Sequence, residues 1–126
     1  MKKGLERENG IPYFYEREVW FCSIGINVGR EQDSRNMKFS RPVIILKKFN
    51  ESMFWGIPVT STVKENKYSF VFRIQNQENS ALISQFRIFD SKRLIRKSGV
   101  LDEKEFDVLK DRLVEIIKTK TPSSFR

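Results

Sequence analysis

Histidine is absent from these 126 residues, and cysteine occurs once, at position 22. Those two facts remove a Cys/His zinc site, a cysteine–histidine dyad and a serine–histidine–aspartate triad. A single cysteine also excludes an internal disulfide. Its setting in Trp20-Phe21-Cys22-Ser23-Ile24 reads as a buried strand position. No apolar run approaches membrane-spanning length, and Met1 to Glu8 carries no signal-peptide apolar stretch. Internal repeats, low-complexity tracts and an interior linker are missing as well. The expectation is one soluble, cytoplasmic domain over residues 1–126, with loose ends at 1–10 and 119–126 and no membrane partner. The length suffices for one core and no independent second module.

What the chain does have is positive charge. The net charge is +8, and it is unevenly placed. Residues 102–118 carry a net −2, which leaves +10 on the rest. One dense basic patch comprises Arg30, Arg35, Lys38, Arg41, Lys47 and Lys48. A second comprises Arg87, Lys92, Arg93, Arg96 and Lys97. A body with this balance attracts polyanions by displacing their counterions, although a merely solvated surface has the same composition.

The local patterns give strands first and a helix last. Glu18 to Ile24 reads as a strand ended by Gly25 and Asn27-Val28-Gly29. Pro42 to Leu46 is an unbroken apolar run, and Met53 to Val59 follows it across an Asn50-Glu51-Ser52 turn. Tyr68 to Ile74 alternates polar and aromatic residues, Gln75 to Asn79 reads as a polar turn, and Ser80 to Phe89 supplies one or two further strands. Asp102 is placed to cap a helix, with Glu105 completing a capping box and Leu101 stapled to Phe106. Phe106, Leu109, Leu113, Ile116 and Ile117 then form an apolar stripe that covers a sheet or an interface.

Chemistry concentrates between Glu31-Gln32 and Ser40-Arg41-Pro42-Val43, where a polar, basic loop ends in an arginine at the mouth of a strand. A guanidinium is permanently charged and forks two donors toward a phosphate. With no histidine and one cysteine, an arginine-based site is one of the few catalytic sites this chain can build. Against this stand ordinary roles: a surface ion pair of Arg41 with Glu31 or Asp33, and strand-end chemistry for Thr60 and Ser61. Gln85, Arg87, Asp90 and Arg93 read either as an edge contacting phosphates and bases or as an ion-paired turn. Phe39, in the basic loop, is the aromatic placed to stack on a base.

Several short segments then line up with a known family. They are Arg17-Glu18-Val19-Trp20, Gly29-Arg30-Glu31-Gln32, Arg41-Pro42-Val43-Ile44-Ile45-Leu46, Pro58-Val59-Thr60-Ser61, Leu82 to Leu94, and Gly99-Val100-Leu101 before the helix. In this order, over roughly residues 17–118, the chain resembles the MazF/PemK toxin endoribonucleases of type II toxin–antitoxin pairs. The resemblance implies a mainly β (α+β) fold, a small SH3-like barrel of the MazF/PemK/CcdB type with a C-terminal helix. It implies a homodimer that cleaves single-stranded RNA without a metal or other cofactor to a 2′,3′-cyclic phosphate. An antitoxin with an acidic, disordered segment is the implied inhibitor. The family's catalytic arginine and hydroxyl fall on Arg41 and Thr60, with Ser61 beside it. Metal-free RNA cleavage needs an activated 2′-hydroxyl, a stabilised phosphorane and a proton for the leaving oxygen; Arg41 then fits charge stabilisation, Thr60 or Ser61 a hydrogen bond to the same phosphate, and Glu31, read from the residues, the base. Also read from the residues, the expected RNA contacts are Arg30, Gln32, Lys38, Phe39, Gln85, Arg87, Asp90 and Arg93. One departure is visible: the eight residues 33–40 separate Gln32 from Arg41 where family members have only a few. Two other function classes remain compatible with the residues. One is a non-catalytic CcdB-like toxin or binding module acting on a protein. The other is a metal-dependent nuclease using Glu31, Asp33 or Asp90.

Overall fold

The computed structural model describes residues 10–24, 39–63 and 65–120. Seven strands precede one helix: β1 (Glu18–Ser23), β2 (Ser40–Lys48), β3 (Met53–Thr60), β4 (Ser69–Ile74), β5 (Gln77–Leu82), β6 (Arg87–Asp90), β7 (Leu94–Val100) and α1 (Glu103–Lys118). All pairings are antiparallel, in the order β4-β5-β3-β2-β1-β7, with β6 also on β3. β3 therefore serves two partners on one edge. Its first half pairs β6, from Met53↔Asp90 to Gly56↔Arg87, and its end pairs β5, at Val59↔Ala81 and Thr60↔Ser80.

That division curls the sheet into a half-barrel with a buried cluster on each face. Phe14, Trp20, Cys22, Val43, Ile45, Phe54, Phe89 and Leu94 fill the inside of the curl. Alternate residues of the same strands, among them Val19, Ile44, Ile57 and Val59, join Phe70, Phe72 and the helix residues Phe106, Leu109 and Leu113 on the other face. Closure comes from the short link after β6. Ser91 donates from N to Ser52 O at 2.8 Å and from Oγ to Glu51 O at 2.7 Å. Two residues on, Arg93 Nη1 donates to Ser23 O at 3.0 Å. The β2–β3 turn and the end of β1 are thereby tied together.

The buried charge is paired. Glu18 Oε1 accepts from Trp20 Nε1 and from Tyr15 N, each at 2.9 Å, and its Oε2 lies 3.1 Å from Lys97 Nζ. Arg17 adopts φ 80°, a left-handed conformation unusual for a side-chain-bearing residue, and three bonds fix it there. Its N donates to Ile45 O, its O accepts from Leu101 N and its Nε donates to Leu101 O. The entrance to β1 and the entrance to α1 are thus locked together.

The fold class, the strand–strand–helix order and the buried Cys22 agree with the sequence expectations. Asp102 caps α1, its Oδ2 accepting from Lys104 N and Glu105 N. Four details differ. β2 extends to Ser40 and Lys48, since pairing on both sides continues the strand past its apolar run. Gln77 to Asn79 belong to β5, because the turn is only Gln75-Asn76, both left-handed (φ 54° and 66°) as a two-residue hairpin of the I′ kind requires. The basic segment Leu94–Val100 forms an edge strand through pairing with β1. Ile117 is exposed, so the buried stripe of α1 is narrower than its apolar residues suggest.

Gly56 is the tightest point of the curl. A Cβ there would collide with Val43 Cγ1 and sit 2.9 Å from the Phe89 ring, which itself stacks on Phe54 at 5.4 Å between centroids. Because these neighbours are a β-branched side chain and a stacked ring, neither yields cheaply. Gly56→Ala is expected to lower unfolding stability by about 1–3 kcal/mol, read from urea denaturation. An unchanged midpoint would show that the ring and Val43 relax freely.

Candidate functional site

β2 carries Arg41 into the sheet opposite Cys22 of β1, where it is half-buried. The β2–β3 ladder pairs Ile44 with Ile57 and Val43 with Pro58. Continuing that register to the strand end sets Arg41 across from Thr60, the last residue of β3. Thr60 Oγ1 accepts from Thr62 N at 3.2 Å, which holds the hydroxyl at the start of the turn. Strand pairing thus brings the two positions to neighbouring strand ends, although 18 positions in sequence lie between them.

The second basic patch arrives at the same place by a different route. Arg87 opens β6 and sits 4.5 Å from the Phe89 ring, its guanidinium fixed by a cation–π contact. Arg93 reaches back to Ser23 O, one residue beyond Cys22. The electrostatics register this convergence. Burial pushes the Cys22 thiol up to about 12, and the charges of Arg93 and then Arg87 pull it the other way. Cys22 is consequently a protonated core residue and no nucleophile. Arg41 is its register partner on β2, Arg93 bonds the carbonyl of the next residue, and Arg93 and Arg87 act on the thiol by their charge.

The remaining expected residues distribute as follows. Arg30, Glu31, Gln32 and Lys38 lie outside the described residues. Phe39 is exposed, and its carbonyl accepts from Ile24 N at 3.0 Å, just below the loop's two ends. Gln85 is exposed at the end of the 3-10 turn Ile83–Gln85, immediately before β6. Asp90 Oδ1 accepts from Lys92 N at 2.8 Å and so caps the link that carries Arg93. Its carboxylate acts on the cluster through that turn.

Ser61 separates from Thr60. With Pro42 it lines a cleft of about 610 Å³ on the opposite side of the rim from the Cys22 cluster, and neither Arg41 nor Thr60 borders that cleft. Phe21, Gln77, Asn79 and Arg96 form other parts of its wall. Sequence reasoning missed these last three polar residues as site candidates. Gln77 and Asn79 lie in a stretch whose composition is that of a turn, and Arg96 belongs to a strand visible only through its pairing with β1. A further cavity of about 700 Å³ lies beside Gly10 to Tyr15 and the Glu18–Lys97 pair.

No three His, Cys, Asp or Glu side chains gather as a metal site would among the described residues, and none of their helices is long and apolar enough to cross a membrane. The cluster's chemistry is that of guanidinium and hydroxyl groups: it can bind a phosphate and stabilise charge accumulating on it.

Comparison with known proteins agrees with this architecture. In solved structures the chain is similar to Mycobacterium tuberculosis toxin MazF-mt6 (TM-score 0.63, 15% identity, covering 83% of this chain and 100% of that one). It is similar to an endoribonuclease in complex with its cognate antitoxin from a mycobacterial species (TM-score 0.66, 10% identity, 87% and 100%). It is also similar to MazF from Deinococcus radiodurans (TM-score 0.64, 15% identity, 82% and 96%). A search of curated proteins by sequence found no match. The family described as PemK-like, MazF-like toxin of type II toxin–antitoxin system matches residues 15–117, nearly the whole described body, and the chain belongs to that family.

Proposed function

We propose that this toxin is an endoribonuclease that cuts single-stranded RNA without a metal ion. The observation that carries the reading is the placement of Arg41 in register with Cys22, on whose thiol Arg93 and Arg87 act by their charge, with Thr60 opposite Arg41 where the β2–β3 register is continued. Family membership and the similar endoribonuclease structure support it. The 2′-hydroxyl oxygen attacks the adjacent phosphorus as its proton passes to a base, for which Glu31 is the candidate. The bond from phosphorus to the 5′-oxygen breaks, and that oxygen takes a proton. The products are a 2′,3′-cyclic phosphate and a 5′-hydroxyl. Arg41 stabilises charge on the non-bridging oxygens, Thr60 hydrogen-bonds the same phosphate, and Arg87 and Arg93 hold neighbouring phosphates. Asp90 acts by fixing the turn beneath Arg93, and Arg30, Gln32, Lys38, Phe39 and Gln85 are candidate RNA contacts around this centre. Ser61 is an alternative hydroxyl donor.

The partners follow from the same surface. An acidic, disordered antitoxin segment has the charge to cover the arginine cluster, and one similar toxin is captured with its antitoxin. A second copy of the chain has an apolar surface to occupy. Met53, Trp55 and Ile88 are exposed side by side on β3 and β6, with Phe49 edge-on to Trp55 at 5.1 Å. We assign this patch to an isologous dimer contact.

Three outcomes test the reading. Purified protein is expected to cut single-stranded RNA in excess EDTA, leaving cyclic phosphate ends detectable by end-group analysis. Cutting only after Mg²⁺ is added would replace the mechanism with a metal-dependent one. Arg41→Ala is expected to lose roughly a hundred- to a thousand-fold in rate while remaining folded, and Arg41→Lys to recover little, because a point charge does not reproduce the fork. Near wild-type turnover in folded Arg41→Ala would show that the phosphate site lies elsewhere. In light scattering the protein is expected to run as a dimer and Trp55→Glu as a folded monomer; a variant that stays dimeric would move the interface away from β3 and β6.

A further inference from the structure

Opposite the arginine cluster, the cleft beyond Pro42 and Ser61 has the makings of a nucleotide site. We propose that it is a base-recognition subsite of the ribonuclease, taking one unpaired nucleotide that flanks the cut. The proposal rests on the endoribonuclease reading and specifies where its sequence preference is made.

Position comes first. Arg41 and Thr60 are followed and preceded along their strands by residues that alternate between faces, and Pro42 and Ser61, their immediate neighbours, border the cleft. A nucleotide attached to a phosphate at Arg41 needs only to cross this lip to put its base on the other side. The volume of about 610 Å³ accommodates a base with its sugar.

The lining has the chemistry of base readout. Val59, Phe72 and Ile74 give an apolar floor. At the edge, Arg96 lies over the Phe21 ring at 4.5 Å, so its guanidinium is already ordered as a shelf on which a base can stack. Gln77 and Asn79 present carboxamides, which donate and accept at once and so suit the mixed edge of a base. Asn79 Nδ2 donates to Gln77 O at 3.1 Å, which orients that amide along β5 and directs its recognition to the oxygen. No carboxylate is among the lining residues; Lys97 is paired with Glu18 outside the cleft, and Arg96 supplies the positive charge that favours a nucleotide's phosphate.

The walls are held. Gln75 Nε2 donates to Ser98 O at 3.2 Å, tying the tip of the β4–β5 hairpin to β7. Beneath this bond Ile74 packs on Gly99, where a Cβ would come within 3.1 Å of its Cγ2. The hairpin bearing Gln77 and Asn79 is thus fixed at a set distance from the Arg96 shelf. A preformed gap discriminates between bases without a large ordering cost.

The test uses the full chain and a pool of random-sequence single-stranded RNA, with cut sites mapped by sequencing for wild type, Gln77→Ala and Asn79→Ala. The wild type is expected to prefer one base at a position beside the cut. Each variant is expected to relax that preference by roughly five- to a hundred-fold, the range of a lost base contact. In parallel, fluorescence anisotropy with the preferred oligonucleotide is read on Arg41→Ala, and on Arg41→Ala carrying each cleft substitution. Weaker binding in the latter, in similar proportion, is expected. Cutting with an unaltered base preference in both variants would overturn the subsite and leave the nuclease reading standing, as it would if the cleft took an antitoxin peptide. Binding weakened by the cleft substitutions in a wild type that does not cut would keep the subsite and overturn the nuclease. A wild type that neither cuts nor binds any RNA in the pool overturns both.

Discussion

A single strand, β3, has to satisfy two neighbours along one edge, and the geometry of the molecule follows from how it does so. Pairing β6 first and β5 last requires the strand to bend where one partner gives way to the other, and Gly56 lies at that change. Only a residue without a Cβ lets Val43 and Phe89 close in from either side. The bend wraps β2, β1 and β7 around the Phe14–Phe54–Phe89 aromatic group and leaves the other face for the helix and the β4–β5 hairpin. It also delivers Thr60 to the end of β2, beside Arg41. Packing and site are therefore set by one local compromise in backbone pairing.

Two arginines act by their charge on one buried thiol, and each is also held by a contact of its own. Arg93 takes a carbonyl, and Arg87 rests on an aromatic face. Lys97, by contrast, is held by the Glu18 carboxylate. Under the proposed function, cations held in this way are organised before a phosphate arrives.

Elements with local signals were legible in the sequence. α1 has a cap, an apolar stripe and a charged outer face, all within a few residues of one another, and it lies where those signals put it. β1, β2 and β3 were legible as apolar runs. β7 was not, because Ile95-Arg96-Lys97-Ser98 has no buried alternation of its own and becomes a strand only by hydrogen-bonding to β1. The Gln75–Asn79 stretch offers several turn residues in succession, and which two form the turn is decided by the Ile74↔Gln77 register. In the candidate site, the resemblance nominates Arg41 and Thr60, while the approach of Arg93 to the end of β1 depends on a contact 70 positions apart, its bond to Ser23. The separation of Ser61 from Thr60 reflects alternation across a strand end whose exact position the sequence left open.

The pairing of β1 with β7 joins residues near the two ends of the described body, from Glu18↔Val100 to Cys22↔Leu94. While the chain is being made, β1 through β6 leave the ribosome without the strand that completes this face. Arg93 has no Ser23 carbonyl to hold until the barrel folds back on its first strand, and the helix that covers the outer cluster comes later still. Long-range pairing of this sort forms late and all together. A nascent chain thus has its basic residues before it has their arrangement, which waits for β7 to pair with β1.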